Sequence, residues 1–159
     1  MQKTGKEALI PLSAPPALNE AALASSAEAP AHALAMIVVA NGHIADSELR
    51  VLDELDAFNR LGITRHRFVA LAQACLNDID ARLSERSWLR VEDLTYLDAL
   101  FDRVKSPDQR LLVCRLAAAV IVADGCITDD ERLVYDHARS SWRISQEAVS
   151  QAILSDRHP

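Results

Sequence analysis

The chain has 159 residues, half of them hydrophobic, with only four glycines and a net charge of −6. That length supports one core and falls short of two ordinary domains, so a single domain is expected. Twenty-three Asp and Glu against seventeen Lys and Arg repel a phosphate backbone, which excludes nucleic acid as the expected partner.

Residues 1–30 are rich in Ala, Pro, Ser and Glu and hold few bulky apolar side chains. They offset little of the entropy of ordering and are predicted to be a flexible arm. Lys3 and Lys6 are followed by breaks at Pro11, Pro15 and Pro16, not by the continuous apolar stretch of an export signal. From His32 the pattern turns helical. Leu34, Ile37 and Val38 share one face, and Asn41-Gly42 closes the helix, with glycine free to take the left-handed position after it. A second helix is predicted from Asp46, with Leu49, Leu52 and Leu55 on one side and Arg50, Asp53 and Asp56 on the other.

Gly62 interrupts, and Thr64 caps a third helix carrying Phe68, Leu71, Ala72 and Cys75. A polar connection with Trp88 leads to Leu94, Leu97, Leu100, Phe101 and Val104 at helical spacing. Ser106-Pro107-Asp108-Gln109 then reads as a helix start, with Ser106 as N-cap, Pro107 in the first position and Gln109 completing a capping box. The longest apolar run, Leu116 to Ala123, is far below the roughly 20 residues of a membrane-spanning helix, so membrane contact is expected to be peripheral. Cys75, Cys114 and Cys126 form neither a CxxC pair nor an even framework, which predicts reduced thiols in the cytoplasm. Trp88 and Trp142 are expected in the core or at its edge.

Sliding the sequence on itself at an offset of 83 residues places Val39–Glu48 over Val122–Glu131, with six of ten positions identical. Val51 and Asp53 continue the match at Val134 and Asp136, and after a slip of two residues Ile63-Thr64 falls over Ile144-Ser145. The predicted fold is therefore an all-α, single-domain bundle of about seven to eight helices over residues 31–159, containing two pseudo-symmetric helix–turn–helix repeats.

Two chemical accounts fit the repeated turn. In the first, Thr128-Asp129-Asp130-Glu131 is a capping box whose acidic residues face a helix N-terminus, where each contributes roughly 0.3–1 kcal/mol. In the first copy Ala45 replaces the threonine, so Asp46 is expected to cap for itself. In the second account the two turns meet and pool Asp46, Glu48, Asp124, Asp129, Asp130 and Glu131 around a divalent cation, whether Ca²⁺, Mg²⁺, Mn²⁺ or Zn²⁺. The spacing from Asp124 to Glu131 matches the second half of an EF-hand loop, but the first half would fall on Val120 and Val122, which cannot coordinate. His43 and Cys126 sit at equivalent positions and are the softer candidates for zinc. No phosphate loop, nucleophile elbow or HExxH pair occurs, so no enzyme is expected.

The paired segments ANGHIADSELRVLDEL and ADGCITDDERLVYDHA resemble the duplicated A-D-G-x-I-x-x-x-E signature of the tellurite-resistance TerB-like family, which includes the N-terminal region of DjlA-type co-chaperones. The resemblance covers residues 31–155. It implies an all-helical fold with internal pseudo-twofold symmetry, an acidic metal-binding centre and a role in bacterial tellurite or related stress. It also implies a protein partner near a membrane-associated complex at the inner membrane; in the alternative reading the chain is a protein-interaction module, an adaptor or homodimer, whose acidic residues only cap helices. Its acidic signature falls on Asp124, Asp129 and Glu131, and in the first copy on Asp46 and Glu48, whereas Asn41 departs from the pattern. No His-Pro-Asp tripeptide of a J domain is present, so co-chaperone activity is not expected.

Overall fold

Alanine-rich sequence opens the first helix earlier than the composition of residues 1–30 suggests. The computed structural model describes residues 26–82, 94–123, 125 and 128–157. Within them a 3₁₀ turn at Ser26–Glu28 leads into helix α1, Ala29–Val38. The predicted arm is thus corrected at its end: Pro30 lies in the first turn of α1, where its missing N–H removes no helical bond. Residues 1–25 lie outside the described residues, as does Trp88. Arg67 fastens this start with two bonds to the Glu28 carboxylate, from Nε at 2.8 Å and from Nη2 at 3.1 Å.

The remaining helices are α2 (Asp46–Glu54), α3 (Ala57–Arg60), α4 (Arg65–Arg82), α5 (Leu94–Asp102), α6 (Pro107–Ala123), α7 (Asp129–Trp142) and α8 (Gln146–Arg157). No strand occurs among the described residues, in keeping with the expected all-α class. Three of these starts have a local cause. The Arg67 amide donates to Thr64 Oγ1 at 3.0 Å, the Gln109 amide to Ser106 Oγ at 3.3 Å, and the Ala148 amide to Ser145 Oγ at 3.0 Å. Each hydroxyl satisfies an amide that the helix itself leaves open.

Two helices occupy the centre. All ten residues of α1 are buried, so it has no polar face; a helix apolar all round belongs in a core. It packs chiefly on α4 and α6 and also meets α5 and α7, whereas α6 packs on α1, α2, α7 and α8. α2 thus rests on α6, and α7 on both α6 and α1. α7 carries Trp142, whose Nε1 donates to the Phe101 carbonyl at 3.1 Å while the two rings meet edge to face at 5.4 Å, placing this tryptophan in the core. His137 Nε2 adds a 2.6 Å bond to Asp98, joining the same two helices, α7 and α5.

His32 is enclosed with α1, at 3 % exposure, and neither of its ring nitrogens has a hydrogen-bond partner among the described residues. Burial, helped by Arg103 and Arg67 and opposed by Asp78 and Glu28, pulls its pKa down to about 4, so the core holds it neutral.

Candidate functional site at the acidic turns

The chain leaves each central helix through a left-handed glycine. Gly42 has φ +98° and donates to the Val39 carbonyl at 2.8 Å; Gly125 has φ +74° and donates to the Val122 carbonyl at 3.0 Å. A side chain at either φ would be strained, which is why glycine stands there. α2 and α7 then begin 83 residues apart, at Asp46 and Asp129.

At α7 the capping box is complete. The Glu131 amide donates to Thr128 Oγ1 at 3.1 Å, and Glu131 Oε1 accepts from the Thr128 amide at 3.1 Å and from its hydroxyl at 3.2 Å. Glu131 Oε2 accepts a bond from Asn41 Nδ2 at 3.3 Å, across 90 residues of sequence. The Asn41 Oδ1 meanwhile accepts the His43 amide at 3.2 Å, so both ends of this side-chain amide are used. A carboxylate with 1 % exposure is costly to ionise unless such donors replace water, and the positive end of α7 adds to them.

At α2 the arrangement is partial. Ala45 has no acceptor on its side chain, and the expectation that Asp46 caps the helix itself is corrected: Glu48 does so, accepting the Ala45 amide at 2.8 Å through Oε1. Glu48 is 2 % exposed and lines a cavity of about 150 Å³ between α2 and α6, with Ser47, Arg50, Glu54 and Val120 on its wall.

Of the six candidate metal ligands, then, Glu48 and Glu131 are buried in caps, Asp46 and Asp129 are exposed at the first helical positions, and Asp130 is partly buried beside Asp129. Asp124 lies outside the described residues, as does Cys126, and His43 is exposed. Among the described residues no group of three or more His, Cys, Asp or Glu side chains is disposed around a common cation position. Sequence reasoning treated Asn41 as a lost ligand; the structure gives it the bond that joins the two turns. Its signal was present in the register, since Asn41 and Glu131 lie in the two segments that match at an offset of 83 residues.

Cys75 and Cys114 are both buried. Burial and the nearby Asp78 carboxylate push the Cys75 thiol up, and burial pushes that of Cys114 up to about 12. No described helix is long and apolar enough to cross a membrane. Comparison with protein-family models, curated proteins and solved structures yields no match to this chain.

Proposed function

We propose that this chain is a TerB-like, non-enzymatic interaction module of a bacterial metal or metalloid stress response, made of two copies of one three-helix unit. The observation that carries the reading is the Asn41–Glu131 bond at 3.3 Å, which turns the acidic motif of one half into a latch for the other. Both glutamates of the motif cap helices, and the oxygens of Glu131 accept three bonds from protein donors. Local geometry supports the two-copy reading. Gly62 and Arg143 both take left-handed φ, at +72° and +58°. Ile63 and Ile144 both donate at 2.9 Å to a carbonyl five residues back, and Thr64 and Ser145 cap the helices that follow.

A divalent cation is the second reading, favoured by the burial of two carboxylates at equivalent positions, one of them facing a small cavity. Thermal unfolding of metal-stripped protein in millimolar Ca²⁺, Mg²⁺, Mn²⁺ or Zn²⁺ separates the two. A latch predicts the same Tm with every ion and a lower one in Glu131→Gln. A rise with one ion alone, lost in Glu131→Gln or Asp124→Asn, replaces the latch by a cation site, because a ligand that binds only the folded state stabilises it by mass action.

A further inference from the structure

Val122, at the end of α6, is 76 % exposed, the most open of the large hydrophobic side chains among the described residues. Ile121 and Val122 stand where Val38 and Val39 stand in the first half, and those two are 2 % and 0 % exposed. The same apolar pair thus closes both central helices; in the first half it is fully buried, whereas in the second Ile121 is partly buried against the core and Val122 stays open. There the pair borders an open groove of about 400 Å³ between α6, α7 and the start of α8, within the size range of ligand sites.

The groove also has a charge. Tyr135 donates its hydroxyl to Gln146 Oε1 at 3.0 Å, and the Arg139 guanidinium lies 5.3 Å from the centre of the Tyr135 ring. Arg139 Nη2 pairs with Asp136 at 2.8 Å and Nη1 donates to the Ile144 carbonyl at 3.2 Å, so these two charges answer each other. Arg132 remains: exposed and on the groove wall, with its guanidinium in no hydrogen bond or ion pair with another described residue. A cation beside an apolar floor gives this groove a local attraction for carboxylates on a chain whose net charge is −6.

We propose that the groove docks an acidic segment of another protein, seating a leucine-sized side chain on Ile121 and Val122 with a flanking carboxylate on Arg132. The inference rests on the interaction-module reading and names that module's docking face and the chemistry of its partner.

Fluorescence anisotropy with a short dye-labelled peptide of alternating glutamate and leucine tests it, with the lysine-for-glutamate peptide as control. The acidic peptide is expected to bind saturably, the control not. Val122→Asp and Arg132→Glu each weaken binding at least about tenfold while retaining the wild-type melting curve, since both side chains are exposed. Arg132→Glu further gives the lysine peptide measurable affinity. Equal binding of both peptides, unchanged affinity in both variants, or no saturable binding overturns the proposal. So does a dimer in sedimentation that Val122→Asp disperses, which would make a second copy the occupant. Metal-dependent melting of the same samples reads the acidic turns separately, so failure of the latch leaves the peptide result standing, and the reverse.

Discussion

At Glu131 the side chain fills several roles at once, and substitutions separate them. Alanine there leaves the Asn41 amide, the Thr128 amide and the Thr128 hydroxyl without their acceptor inside the protein. Such a loss costs about 2–3 kcal/mol, to be read as a lowered midpoint in urea unfolding. Asn41→Asp sets a second carboxylate against the buried first one and removes a donor. It is expected to destabilise the protein by about 1–2 kcal/mol at neutral pH, read as a lowered midpoint in urea unfolding. His32 makes a pH prediction. Its folded pKa, about 4, lies below the ordinary histidine value of 6.5, so the unfolded chain takes the proton first. Stability is complete above about pH 6.5 and falls as the pH drops toward 4, by up to about 3 kcal/mol. Unfolding at pH 7 and pH 5 checks this, with His32→Leu expected to flatten the difference.

Among the elements, Arg143 ends α7 at φ +58°, a conformation that costs a residue with a side chain roughly 1 kcal/mol. Arg143→Gly is therefore expected to raise stability by about 0.5–1 kcal/mol, seen as a higher Tm, as glycine already serves at Gly62. Helix starts were legible in the sequence because a cap is local chemistry: Thr64, Ser106 and Thr128 each act within three residues of themselves. The break at Asp56 was not. Asp56 takes φ +57° and divides α2 from α3 in a stretch whose apolar spacing continues unbroken, and the turn is decided by where Ala57 and Phe58 must pack, with Phe58 5.3 Å from the Phe68 ring. At the candidate site the acidic residues were legible, but their division of labour was not. Whether a carboxylate faces solvent, as at Asp129, or the core, as at Glu131, depends on the helix packed over it.

For the whole molecule, the determining feature is the pair of central helices, with α2 packed on α6 and α7 on both α6 and α1. Leu34, 0 % exposed in α1, lies within the shared core, and Leu34→Ala is expected to cost about 3–5 kcal/mol in global unfolding, measured by calorimetry. The enclosure of α1 has a further consequence for how the molecule can come apart. With every one of its residues buried, it has no edge from which to fray, so its amides should exchange with deuterium only in molecules that have opened entirely. Cleaving the chain between residues 83 and 93 would leave α1 on one fragment and two of its supports, α6 and α7, on the other. Neither piece would hold its fold alone, and the native spectrum would return only when the two are mixed.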